Sequence, residues 1–384
     1  MLCYSSLVSS GRKTQYVVTA IAVAVGLSYV IGLWVFGRVS PNWFTGLCLL
    51  FLVASPFAIG LVSKSRTQKL TTVVAAAIGL CYGILFRLLG KTNLAPSFFQ
   101  VMSLGFLFAV PFAIGFVSVF ILERNSRQRI FVWFLFPWLP IIAECAAVML
   151  FFWEGLICIL MFLPIGLTAG MLGGVLGGLC ARYIRRSAAP VVTALLLPFL
   201  IAPWERTVFN SREIETARNF IDVNAPADTI WNNIERVPAI HPRELKPAWT
   251  QRIGFPRPVE ATLSFQGVGG IRHATFEGGV LFIESIDVWQ PRHKLSFTIR
   301  AQTDHIPRTT LDEHVTIGGP YFDILRGTYE LESLPDGRTR LHLESQHRLS
   351  TDFNWYSRLW TTAVMSDIQK SILYVIKNRC EASR

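Results

Sequence analysis

The sequence predicts two structural classes in one chain. A membrane all-α bundle occupies residues 1–205, and an α+β domain follows over residues 206–384, with a curved antiparallel sheet around a long C-terminal helix. Three observations carry this. The 384 residues are 52% hydrophobic and only 16% charged, values a soluble globule of this size seldom reaches. The charge is divided unevenly, with 14 Lys+Arg against four acids up to Glu205 and 22 against 21 beyond it. The hydrophobic pattern also changes, from apolar runs of about 20 residues, long enough to cross a hydrocarbon core, to short alternating runs between Gly and Pro.

The apolar runs are Tyr16 to Phe36, Trp43 to Val62, Leu70 to Leu89, Phe99 to Leu122, Ile130 to Trp153 and Leu156 to Cys180. A weaker seventh, Pro190 to Trp204, holds Pro198. The first lacks a small-x-small cleavage site and reads as a retained anchor. Basic residues fall in alternate loops: Arg12 and Lys13; Lys64, Arg66 and Lys69; Arg124, Arg127 and Arg129; Arg182, Arg185 and Arg186. The intervening connections hold only Arg38 and Lys91, with Arg87 expected to snorkel from a helix end. The net +11 is therefore topology information rather than a nucleic-acid footprint, and it places the N-terminus in the cytoplasm of a bacterial-type membrane. If the seventh run crosses, the second half is extracytoplasmic, which is the reading adopted; if it lies in the interface, the second half is cytoplasmic.

The chain repeats itself. PFAIGLVS (Pro56 to Ser63) returns as PFAIGFVS (Pro111 to Ser118), and AVGLSYVIG (Ala24 to Gly32) resembles AIGLCYGIL (Ala77 to Leu85). The unit is a helical hairpin, about 16–63 and 70–118, and two spans per unit keep both copies in one orientation. Each Pro is expected to loosen its helix, and Gly60 and Gly115 to allow close approach. The sixth run carries Gly166, Gly170, Gly174 and Gly178 at four-residue spacing, a smooth face for packing within the chain or, alternatively, for a homo-oligomer. Glu144 is the one acid deep in a span, on a helix face with Pro137 and Pro140, and such a group is a functional candidate. Six of the seven Cys lie in this half without CxxC spacing, so disulfides and cysteine metal sites are not expected, and no cofactor motif is present.

In the second half, Thr216 to Ala225 alternates as a strand, and Pro226 and Asp228 open a short helix through Trp231 and Ile234. A Pro-rich connection leads to strands at Glu260 to Gln266, Ile271 to Glu277, Val280 to Trp289, Lys294 to Arg300, Tyr321 to Leu331 and Thr339 to Arg348. Gly269-Gly270, Gly278-Gly279 and Asp336-Gly337 mark tight turns. From Asn354 to Asn378, Leu359, Trp360, Met365, Ile368, Ile372, Val375 and Ile376 form the apolar stripe of a helix that needs a sheet to cover.

IDVNAPADTIWNNI (Ile221 to Ile234), RHATFEGGVLFIESIDVWQPRHKLSFTI (Arg272 to Ile299) and GTYELESLPDGRTRLHLESQHRL (Gly327 to Leu349) resemble the START-like (SRPBCC) helix-grip superfamily of polyketide cyclases, dehydrases and lipid-transport domains. The likeness covers roughly Glu213 to Arg379 and is specific for fold rather than chemistry. It implies a cavity for a hydrophobic ligand between sheet and helix. No family catalytic residue carries over.

Alternation selects the lining: Leu295, Phe297 and Ile299 share one strand face, Tyr329 and Leu331 another, Leu341 and Leu343 a third, facing Trp360, Met365 and Ile368. A filled core is the other reading of each. All seven His fall in this half without HExxH or HxH spacing, so no metal site is expected, and His342 and His347 point to opposite faces. His273 and Glu277 would form an acid–base pair if their shared strand face looked inward. The leading expectation is a membrane-tethered domain that binds a lipid or other hydrophobic small molecule, with membrane lipids and that ligand as partners and catalysis less expected than binding. The alternatives are a cyclase- or dehydrase-type enzyme using His273, Glu277, His342 or Tyr329, and a ligand-independent sensor or assembly factor.

Overall fold

A computed structural model describes residues 66–89, 103–151, 153–184, 187–209, 212–302 and 316–382. The first two expected spans, and with them the first copy of the repeat, lie outside the described residues. The chain divides into two compact units. One contains Gly105–Val148 and Leu163–Leu200 with the described part of Met1–Ala95, and the other contains Met149–Phe162 and Ile201–Arg384.

The first unit is helical. Its elements are α1 (Arg66–Leu89), a π-helical turn (Gly105–Ala109) running into α2 (Val110–Asn125), α3 (Ile130–Leu135), α4 (Trp138–Leu150), α5 (Leu156–Tyr183) and α6 (Ala189–Phe209), the first and last elements being apolar helices. Among the described residues, four stretches are long and apolar enough to cross a membrane: Gln68–Arg87, Gly105–Asn125, Ile130–Leu150 and Leu156–Tyr183. Pro111 stands in the first turn of α2, immediately after the π turn. Its missing N–H removes one backbone bond there, and the wider turn absorbs the loss. The glycine face of α5 is packed within the chain. A Cβ on Gly173 would overlap the Phe112 carbonyl, one on Gly177 the Phe116 carbonyl, and Gly115 and Gly170 abut backbone to backbone. At the opposite end of α2, Glu123 accepts from Arg182 at 2.9 Å, from the Trp133 indole at 3.0 Å and from the Gln128 amide at 2.8 Å.

The second unit contains β1 (Glu213–Val223), α7 (Ala227–Glu235), α8 (Trp249–Arg252), β2 (Pro258–Leu263), β3 (Ile271–Phe276), β4 (Leu281–Gln290), β5 (Lys294–Gln302), β6 (Phe322–Ser333), β7 (Thr339–Leu349) and α9 (Asn354–Ala382). The strands form one antiparallel sheet in the order β1-β7-β6-β5-β4-β3-β2. Gly278 (φ 76°) and Gly337 (φ 80°) take the left-handed conformation in the β3–β4 and β6–β7 turns, where a side chain would be strained. Bulges at Ile286/Val288 and Ile324/Arg326 bend β4 and β6, so the sheet curves around α9.

Period-two alternation gives β7 a strict inside and outside: Leu341, Leu343, Ser345, His347 and Leu349 are buried and the residues between them are partly open. The core fills one end of this grip, where Val223, Ile230, Ile234, Leu295, Leu331, Leu341, Leu373 and Ile376 pack together. Arg379 holds the Pro-rich connection to the C-terminal part of α9 by bonding Glu244 and the Pro238 and Ala239 carbonyls.

Candidate functional site

The other end of the grip is hollow. A cavity of about 190 Å³ lies between sheet and helix, walled by Phe282, Phe297, Ile299, Phe322, Ile324 and Leu343 from the strands and by Trp360, Val364, Met365, Ile368 and Ile372 from α9. An apolar cavity of about 150 Å³ is enough to take up benzene. The space therefore accepts a ring or a short alkyl stretch, and a longer chain would continue through the mouth.

Few polar groups face this space, and they are deliberately held. Gln369, 2% exposed, donates to the Ala217 carbonyl at 3.0 Å and Ser345 Oγ at 2.8 Å, and accepts from Asn219 at 2.6 Å. That amide is fully engaged with the fold. On the sheet, Glu284 and Tyr329 line the cavity, and Arg272 is buried beside them, ion-paired with Glu284 and within electrostatic reach of the Tyr329 hydroxyl.

The strand register explains this group. Arg272 and Glu284 are direct partners across β3 and β4, and Tyr329 opposes Leu295 two strands away. Burial pushes the Tyr329 phenol up. Burial also pushes the Glu284 carboxyl up, against the pull of Arg272, whose own guanidinium is held charged by its partners. Because a guanidinium cannot shed its charge, protonating Glu284 would leave a buried cation unpaired. One donor, Arg272 Nε, is buried with no hydrogen-bond partner among the described residues.

Phe297 and Gly327 face each other across β5 and β6, and both line the cavity. A Cβ on Gly327 would come within 2.6 Å of the Phe297 ring, so glycine there lets the ring lie flat on the sheet. The Arg272 guanidinium stands 5.5 Å from the centre of that ring.

Of the residues selected from the sequence, Phe297, Ile299, Tyr329, Leu343, Trp360, Met365 and Ile368 stand on the cavity wall. Leu331 does not, because it lies towards the filled end and packs in the core with Leu295 and Leu341. The condition set for a His273–Glu277 pair, an inward strand face, is not met, and the solvated reading of these residues holds. His273 is exposed on the outer face of β3, whereas Arg272 and Ala274 turn inward. The strand ends at Phe276, so Glu277 belongs to the turn, where it accepts from the Arg257 amide at 3.3 Å. His342 also faces outward and meets Glu332 at 3.0 Å. His347 faces inward, fully buried, with Nε2 3.2 Å from Thr361 Oγ1, and burial lowers its pKa to about 4. Among the described residues no cluster of His, Cys, Asp or Glu has metal-ligand geometry.

In the helical unit, Glu144 is buried with its carboxylate against the bare Cα of Gly83, within electrostatic reach of Arg87. Arg87 is 1% exposed, so it does not snorkel outward as its place near a helix end suggested.

No protein-family model matches the chain, and no curated protein matches it. Solved structures do. DynU16, a protein of the dynemicin biosynthetic locus, is 15% identical with a TM-score of 0.26, over 44% of this chain and 49% of that one, so the match spans about half of its length. Norcoclaurine synthase from Thalictrum flavum is 18% identical (TM-score 0.27, 43% of this chain, 95% of that one), and Aha1 from Colwellia psychrerythraea 14% identical (TM-score 0.26, 44% and 98%). Likeness at this level bears on neither substrate nor activity. The helix-grip arrangement stands on the strand order and register above.

Proposed function

We propose that the chain is an integral membrane protein whose C-terminal unit binds an apolar small molecule, or the apolar part of a lipid, by a single polar end. The observation that carries this reading is the half-filled grip: one end is a packed core, and the other is an apolar cavity with Glu284 and Tyr329 on its wall. Burying two charges and a phenol beside an empty apolar space is costly for stability alone. A ligand hydroxyl, carbonyl or carboxyl that bonds this group would recover part of the cost, and the aromatic and aliphatic walls would take up the rest of the molecule.

The four long apolar helices support the membrane reading, and the basic-loop bias supports a cytoplasmic N-terminus. A binding unit held at a bilayer meets a sparingly soluble ligand at high effective concentration. The second reading, an enzyme of the cyclase or dehydrase kind, draws on the same wall: Glu284, Tyr329 and Tyr321 are the ionisable groups on it that a bound substrate would touch. The test of binding is whether the full-length protein carries a small molecule that a variant with the cavity filled does not.

A further inference from the structure

The first two turns of α9 present two different faces. Ser357, Trp360, Thr361 and Val364 turn to the cavity. The opposite side carries Trp355, 57% exposed, and Leu359, 64% exposed, with Arg358 between them. Arg358 bonds Glu215 at 2.9 Å and Glu213 at 3.2 Å, which brings the start of β1 alongside, while Ile214 between them turns to the outer face of the sheet. Two large apolar side chains are thus open on this side, at the end of the grip that is hollow.

We propose that this edge, Trp355 and Leu359, seats in the bilayer surface, so that the cavity loads from lipid rather than from water. This rests on the membrane reading above. The occupant is a lipid surface for three reasons. Glu213 follows Ile201, the last residue of the apolar stretch of α6, by twelve residues, the first eight in helix. Helical rise over those eight and extended chain over the last four span at most about 26 Å, so covalent reach alone keeps the edge within that distance of the apolar stretch. Tryptophan also favours the membrane–water boundary, where its ring is apolar and its N–H is wet. Finally, the edge and the cavity wall are two sides of the same helical turns, so a molecule leaving the lipid at the edge has one turn of helix to pass.

The charge of Arg358 is matched by Glu213 and Glu215, so seating relies on apolar insertion and not on headgroup charge. The test places the photocrosslinking residue p-benzoylphenylalanine at Trp355, Leu359 or Val268 of the full-length protein. Val268 is the control, 63% exposed in the β2–β3 turn. Each protein is reconstituted into phosphatidylcholine vesicles, with or without phosphatidylglycerol, and irradiated, and lipid adducts are counted by peptide mass. The expected result is lipid adducts at 355 and 359 several-fold above those at 268, and equal in the two vesicle types. Equal yields at all three positions, or adducts to protein alone, overturn the seating. Release of the chain from native membranes by alkaline carbonate would instead overturn the membrane reading, and the seating with it.

Discussion

Arg272 and Glu284 face each other across the β3–β4 ladder, both turned into the grip, one at 3% and the other at 4% exposure. Their outward neighbours, His273 and Ser285, are exposed. A buried pair of this kind holds only while both partners are present. Glu284→Leu or Arg272→Met alone is expected to destabilise the protein by about 3–5 kcal/mol, while the double replacement recovers most of that loss. Thermal or denaturant unfolding of the full-length protein in detergent, run as a double-mutant cycle, measures the coupling. Additive single losses would contradict a coupled pair.

Gly327 sets the position of the Phe297 ring. Gly327→Val is expected to push that ring off the sheet and into the cavity, at a cost of about 1–3 kcal/mol and with loss of the bound molecule. Phe297→Leu in the Gly327→Val background makes room for the new side chain, and so should restore stability more than Phe297→Leu alters it by itself. Ligand content and melting temperature of the four proteins check this.

His347 is buried neutral beside Thr361, with its pKa lowered to about 4. In the unfolded chain it titrates near 6.5, so between those values the unfolded state binds the extra proton. Its contribution is complete above about pH 6.5 and is lost as the pH falls towards 4, on the order of 3 kcal/mol. His347→Gln should flatten that part of the stability–pH curve. A curve of unchanged slope would show that other groups set it.

In the helical unit, Gly173 and Gly177 lie against the backbone of α2. Gly173→Leu is expected to separate the two helices and lower the thermal stability of the detergent-solubilised protein sharply, because the obstacle is backbone that cannot turn aside. Leu172→Ala, at an exposed position on the same helix, should leave it nearly unchanged.

Much of this architecture is legible in the residues because the signals are local. The glycine pairs fall in the hairpin turns, and alternation in β5 and β7 separates Phe297 and Leu343 from their outward neighbours. The Arg272–Glu284 group is harder to see, since charge normally marks the outside of a strand. The signal was there in the register: Arg272 shares parity with Ala274, Glu284 with Ile286, and the Gly278-Gly279 turn sets the two charges opposite each other. His273 has outward parity, and β3 ends one residue before Glu277, so the two do not share an inward face. Leu331 has the right parity but the wrong end of the sheet, because alternation gives the face of a residue and not its distance from the packed core. Arg87 is buried within electrostatic reach of Glu144, 57 positions further along the chain, a proximity that no local pattern announces.

The central claim is that the hollow end of the grip holds a small molecule. The direct measurement is to purify the full-length protein and the variants Ile299→Trp and Ile368→Trp, which fill the cavity from opposite walls, in the same detergent, and to compare by mass spectrometry what each releases on denaturation. The account predicts one reproducible mass in the parent, bearing a ring or alkyl chain and a single polar group, depleted several-fold in both variants while their melting temperatures stay close to that of the parent. Identical release profiles from all three folded proteins would contradict it.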